Sequence, residues 1–165
     1  MVDVFEWDKV KLPSTNETIK YDAISCLNLL DRCDKPITLL QTIKKSLVEN
    51  GILIVALVLP FKPYVEYNKN NKPSENLFEN FESTLCKGND ISNQTDSAKH
   101  QYCTRKECIS NMNKINKEID YLINHVFSPL GFDLVKFTKL PYLCEGNLSQ
   151  SFYYLLDYIF VFKSV

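Results

Sequence analysis

The stretch that decides the fold is Tyr21-Asp-Ala-Ile-Ser-Cys-Leu-Asn-Leu-Leu-Asp-Arg-Cys-Asp-Lys-Pro36. Tyr21 to Leu27 is a buried strand candidate, and Cys26 within it suits a small buried side chain. The apolar run stops abruptly at Asn28, Asp31 and Asp34, and a helix signal follows at once. Asp34 can cap a helix N-terminus, and Pro36 fits its first turn. Leu39, Leu40, Ile43 and Leu47 then recur at helical spacing. Gly51 is expected to end that helix as a left-handed cap. Ile52-Leu-Ile-Val-Ala-Leu-Val-Leu59 follows as a near-continuous apolar strand, a pattern that belongs to sheets covered on both faces. Strand, helix and strand in this order predict a right-handed βαβ unit with its two strands parallel. In open α/β sheets, ligands bind just beyond the carboxyl ends of the strands. Polar residues that end the first strand are therefore placed to act on a ligand.

Outward from this unit the chain is less regular. Val2 to Trp7 predicts a short strand, and Lys11 to Thr18 a loop. Pro60-Phe-Lys-Pro-Tyr64 must leave the sheet, because two prolines cannot continue an interior ladder. Residues 67–113 are polar and predict a long, partly disordered insertion. Within it, only Leu77, Phe78, Phe81 and Leu85 suggest a brief helical turn. Ile115, Ile119, Leu122, Ile123, Val126 and Phe127 form an amphipathic stripe, which Pro129 and Gly131 end. Phe132 to Thr138 predicts a strand, Leu140 to Gln150 a loop, and Phe152 to Phe162 a last strand. The final pair is expected to be antiparallel.

The bulk numbers bound the function. A chain of 165 residues, 45% hydrophobic and 24% charged, has room for one globular domain with a real core. Nineteen basic residues nearly balance twenty acidic ones, so no basic excess points to nucleic acid. Ile52 to Leu59 is too short to span a bilayer. The first residues carry acids where a secretory signal carries base, which favours an intracellular site. A targeting segment upstream of Met1 would move that expectation to endomembranes or mitochondria. The six cysteines are expected to be reduced thiols. Cys103 and Cys108 with His100 make at most half a zinc site, with no good second half, so no metal is expected. The sequons at Asn16, Asn93 and Asn147 matter only in the secretory pathway.

No Gly-rich phosphate loop and no nucleophile elbow occur. His100 and His125 fit surface or edge positions better than catalysis. Two clusters remain. The first is Asn28, Asp31 and Asp34. Capping accounts for Asp34, but it accounts less easily for Asn28 and Asp31. The second is Leu140-Pro-Tyr-Leu-Cys-Glu-Gly146, where Tyr142 and Glu145 either belong to a plain turn, with Tyr142 packed on the sheet edge, or face a ligand.

Three long blocks resemble one family in that family's order. They are Asp22-Ala-Ile-Ser-Cys-Leu-Asn-Leu-Leu-Asp-Arg-Cys-Asp34, Ile54-Val-Ala-Leu-Val-Leu-Pro-Phe-Lys-Pro-Tyr-Val-Glu66 and Leu140-Pro-Tyr-Leu-Cys-Glu-Gly146. They resemble the DREV-type methyltransferases, the family of methyltransferase-like protein 9. The resemblance runs from the first residues to the last, with residues 67–113 outside it. It implies an α/β, seven-stranded, Rossmann-like methyltransferase fold, mostly parallel with an antiparallel final strand. It implies S-adenosylmethionine as donor. It implies a protein histidine as acceptor, methylated on its pros nitrogen in His-x-His sequences where x is small. By motif position, Asn28, Asp31 and Tyr142 match pocket residues with catalytic roles. Asn28 and Leu29 match the donor side, and Asp31, Pro60, Tyr64, Tyr142 and Glu145 the substrate pocket.

That role is chemically sensible. Neutral imidazole is already a nucleophile, so the enzyme must mainly align the reacting atoms. It must also favour the tautomer with a lone pair on the pros nitrogen, by accepting a hydrogen from the other one. Asp31 or Asn28 could accept it. Tyr142 could donate, accept or wall the pocket.

The sequence departs from the family's pattern in one respect. The Gly-rich turn after a first strand, and the acid after a second that holds the donor's ribose, are both absent. Residues 1–165 therefore fit a single incomplete methyltransferase domain that begins at the end of the family's third strand. Most of the donor site would lie outside it, and one flank of the Tyr21 to Leu27 strand would be uncovered. A partial gene model, a splice product and a true truncation all fit this pattern. The rival expectation is a noncatalytic interaction module that keeps half the fold.

Overall fold

The structure, a computed structural model, describes residues 7–11, 16–66, 68–79, 81, 105–147 and 150–165. The βαβ unit forms as expected. Strand β1 (Tyr21–Leu27) is followed by helix α1 (Pro36–Ser46) and strand β2 (Leu47–Val58), and β1 pairs with β2 in parallel. Helix α2 (Arg105–Tyr121) continues through a π-helical stretch (Leu122–Phe127) and a 3-10 turn (Ser128–Leu130). Strands β3 (Phe132–Asn147) and β4 (Gln150–Ser164) complete the sheet. Its order is β1-β2-β4-β3, and both later pairings are antiparallel. The expectation of seven, mostly parallel strands is therefore corrected. Among the described residues there are four strands, joined by one parallel and two antiparallel ladders.

The core lies on one face of this sheet. Leu53, Val55 and Leu57 of β2 stand opposite Phe162, Phe160 and Tyr158 of β4, and all six are buried. Leu40 and Ile43 of α1 join the same cluster, as do Ile119, Leu122, Val126 and Phe127 from α2 and its extension. The stripe read from the sequence is thus the face that packs. Phe127 stacks on Phe162 with ring centroids 4.1 Å apart. The other sheet face is less covered. Ala56 is buried, but Ile52, Ile54 and Val58 are only half-buried, and Ala23, Ser25 and Leu27 of β1, paired with Ile52, Ile54 and Ala56, are exposed. The apolar run of β2 led to an expectation of cover on both faces, and the described residues supply it on one.

Several local expectations change. Asp34 is not the cap of α1. Lys35 holds the N-cap position and makes no side-chain cap bond. Glu75 takes over the duty from a distant segment, accepting the Thr38 amide at 2.8 Å, one of the helix's unpaired first-turn donors. Asp34 accepts instead from the Ser74 amide and hydroxyl, each at 2.8 Å, and from Asn68. The hydrogen bonds from Ser74 hold its carboxyl below the usual carboxylate range. Part of the polar stretch after β2 is therefore tied down. Leu77 is buried, and Phe78 packs between Phe61 and Tyr121. The helix that the apolar stripe placed from Lys114 begins at Arg105. Its first turns lack an apolar stripe, so periodicity alone could not reveal them. The expected disorder of residues 82–104 lies outside the described residues, as do the side chains of His100, Cys103 and Cys108.

The predicted loop of residues 140–150 is mostly strand. β3 runs on to Asn147 and pairs with β4 along almost its whole length. Pro141 and Gly146 suggested a loop, but β3 is an edge strand, where a proline is tolerated. The strand predicted from Val2 lies outside the described residues except Trp7, which opens a 3-10 turn and accepts the Tyr21 hydroxyl at 2.7 Å. Gly131 does end its helix in the left-handed region, with φ 81°.

Gly51 is no left-handed cap. Asn50 holds the positive φ there, at 63°, and Gly51 is needed for close approach. A Cβ on it would lie 2.9 Å from the Val48 carbonyl oxygen and 3.1 Å from Leu47. Gly51→Ala should therefore lower the unfolding free energy by about 1–3 kcal/mol, the usual cost of overpacking. Urea denaturation measures this, and a midpoint equal to the parent's would show that the backbone yields without cost.

Candidate functional site

The site begins where β1 stops. Asn28 takes a left-handed conformation, φ 50°, which asparagine tolerates better than most side chains. Its amide still donates to the Ala56 carbonyl at 3.0 Å, the last link to β2. Its side chain turns across the sheet, and Nδ2 donates to Oδ2 of Asp157 on β4 at 2.6 Å. A turn follows in which Arg32 and Cys33 both donate to the Leu29 carbonyl. The turn puts Leu30 in the core and leaves Asp31 only 6% exposed. The backbone carbonyl of Asp31 accepts the Tyr64 amide at 2.8 Å. The carboxyl ends of β1 and β2 are thereby joined.

Burial is the largest influence on Asp31 and pushes its carboxyl above the usual range. The Arg32 guanidinium, 3.3 Å away, opposes this, and the nearby Asp157 charge adds to it. Asp157 is 4% exposed. Three buried acceptors, Asn28 Oδ1, Asp31 Oδ1 and Asp157 Oδ1, have no hydrogen-bond partner among the described residues. Each such group costs about 1–3 kcal/mol while unpaired. A ligand that brings N–H donors or positive charge would recover that cost.

The structure brings Asn28, Asp31 and Tyr64 together, and Pro60 follows two residues after the end of β2. The Arg32 guanidinium lies 5.8 Å over the Tyr64 ring. Behind this loop, the Phe61 amide donates to Glu118 Oε2 at 3.0 Å, and burial pushes that carboxyl up. Leu29 is exposed beside Asn28. Tyr142 sits on β3, not on a loop. Leu140 pairs with Asp157 and Tyr142 with Leu155, so Tyr142 shares a sheet face with Asp157, about 7 Å along the strand. It is 40% exposed. Glu145 pairs with Phe152, close to the hairpin end, and points to the opposite face from Tyr142. The register does not bring Glu145 to the cluster.

Sequence reasoning missed Asp157 and Glu118. The signal for Asp157 was present, as a lone carboxylate inside the apolar run Phe152 to Phe162. A buried carboxylate is costly and needs a reason. Cys26 is buried as expected, and its thiol is pushed up to about 12, chiefly by burial. His125 is exposed and stacks on Tyr121 beside a hollow of about 190 Å³. That hollow is smaller than a typical ligand pocket. No described helix is long and apolar enough to cross a membrane.

A family model described as DREV methyltransferase matches residues 1–97 and 94–164. The chain belongs to the DREV methyltransferase family. The match covers both strand ends and the hairpin that build the cluster. Membership supports methyltransferase activity for the DREV chain described here.

Because burial holds Asp31 above its ordinary value of 3.8, folding takes up a proton between that value and the raised one. The stability linked to this group is fully present below 3.8 and is lost as pH rises through the raised value. Asp31→Asn removes the charged form and should melt above the parent at neutral pH, with a gap that narrows in acid. Each kcal/mol relieved raises Tm by roughly 2–4 °C in a chain this size. A lower Tm for Asp31→Asn at pH 7 would show that the Arg32 pair outweighs the burial.

Proposed function

We propose that this chain forms one wall of the site of an S-adenosylmethionine-dependent protein-histidine N-methyltransferase, acting on the pros nitrogen in His-x-His sequences as methyltransferase-like protein 9 does. The observation that carries the reading is the trio of unpaired buried acceptors at the carboxyl ends of β1 and β2, in a chain of this family. They suit a ligand with N–H donors or positive charge, which describes both an imidazole acceptor and a sulfonium donor.

Asn28 and the Leu29 backbone, at the end of β1, would hold the donor. Bound there, S-adenosylmethionine would supply an electrophilic methyl group, with the sulfonium sulfur as the leaving group that keeps the electron pair. The chain's own residues do the rest. An acceptor oxygen of Asn28 or Asp31 takes the tele N–H of the imidazole and leaves the pros lone pair free. The Asp31 carboxylate stabilises the imidazolium product. Tyr142, with Pro60 and Tyr64, walls the acceptor side and holds the ring in line. We read residues 1–165 as belonging to one methyltransferase domain, with an insertion at about 67–113.

The edge of β1, which pairs with no second strand among the described residues, and the exposed Leu27 favour a second reading, a noncatalytic module that binds through this edge. A His-Ala-His peptide and labelled S-adenosylmethionine, offered to the full-length protein, separate the two. Label on histidine is expected, and label on lysine or arginine alone would overturn the substrate class. No transfer to any peptide would favour the module. Asp31→Ala and Tyr142→Ala should each cut kcat by about a hundredfold, the scale of a misplaced reacting group, without unfolding the chain. Unchanged turnover in both would remove these residues from the site.

A further inference from the structure

We infer that Asp157 is a positioning residue that fixes which atom of Asn28 faces the site, and so fixes which imidazole nitrogen is left free to react. This rests on the histidine reading above, with Asn28 Oδ1 as the oxygen that accepts the tele N–H, and adds to it the origin of the choice between nitrogens. The argument starts from what each group can do. A carboxylate oxygen accepts hydrogen bonds, while a carboxamide has one donating and one accepting end. With Asn28 Nδ2 held 2.6 Å from Asp157 Oδ2, the donating end is committed, and Oδ1 remains as a buried acceptor with no partner among the described residues. An amide free to turn would present N–H as readily as C=O. An N–H facing the ring would pair with a ring lone pair and expose the wrong nitrogen.

The rest of the strand makes Asp157 a firm anchor. It stands opposite Val58 of β2 and Leu140 of β3, inside two antiparallel ladders, and is 4% exposed. Asn28 is held as well, by its own amide bond to Ala56. The side-chain bond therefore spans two fixed backbones, and neither end needs to move when a ligand enters. The orientation is set before binding, which is the form of preorganisation that favours one transition state over another.

Asp157→Asn tests this, because it keeps shape and volume and lets the Asn28 amide take either orientation. In the full-length protein, with labelled donor and a His-Ala-His peptide, the readouts are kcat, KM and the pros-to-tele ratio of methylhistidine. We expect kcat to fall at least about tenfold, peptide KM to change little, and the tele product to rise from trace to a substantial share. The exchanged pair, Asn28→Asp with Asp157→Asn, restores an acceptor at position 28, held by a hydrogen bond between the same two positions with its direction reversed. It should bring the ratio back toward pros. The exchanged pair also carries the test if Asp157→Asn alone melts early, since it keeps both a bond between these positions and the net charge. A parent-like ratio and kcat in Asp157→Asn would overturn the inference while leaving the histidine reading intact, and so would an exchanged pair no better than the single variant. A parent that places no label on histidine would overturn both.

Discussion

The antiparallel ladder between β2 and β4 holds the two ends of the described chain together. Seven registered pairs, Ile52 with Lys163 through Val58 with Asp157, join them. On one face the ladder lines up Leu53, Val55 and Leu57 with Phe162, Phe160 and Tyr158, and burying that surface is the main favourable term. On the other face its last pair delivers Asp157 to the end of β1, where Asn28 meets it. Core and candidate site are thus the two sides of one set of hydrogen bonds. A register slip of one residue would turn both inside out.

The cluster itself runs against stability. A sheet end that buries three unpaired acceptors, two of them carboxylate oxygens, is held more by the elements around it than by its own few contacts. Those elements are well anchored. Glu118 grips the Phe61 amide, Tyr64 is bonded to Asp31, and residues 74 and 75 clasp the start of α1. Polar groups kept apart by a rigid frame are what a site needs when its task is to align a nucleophile that is already reactive.

Much of this was legible in the sequence, where the physics is local. The βαβ unit followed from one strand end, one helical period and one apolar run. The stripe of α2 and the helix end at Pro129 and Gly131 followed in the same way. What escaped notice depends on contacts distant in the chain. Asp34 has the chemistry of a cap, and only the position of Ser74 reveals its actual partner. Leu140 to Asn147 has turn-forming residues, yet the ladder with β4 overrides them at an edge. Asp157 gains its meaning from Asn28, 129 residues away, which no window along the chain can see. The polar strand end and the block from Leu140 to Gly146 singled out Asn28, Asp31 and Tyr142, the family resemblance gave them a pocket role, and the sheet register put Tyr142 on the same face as Asp157 and left Glu145 out at the hairpin.

Pro141 has a consequence beyond its own strand. It brings no N–H to β3, an edge strand of the described sheet, and Lys136 and Lys139 add charge to the same strand. Strands so marked resist pairing with a second sheet. The outer edge of β1 has no proline, and Asp22 is its sole charge. The sheet is therefore asymmetric toward other chains. Among the described residues, β3 carries the marks that discourage strand addition and β1, which leads into Asn28, lacks them.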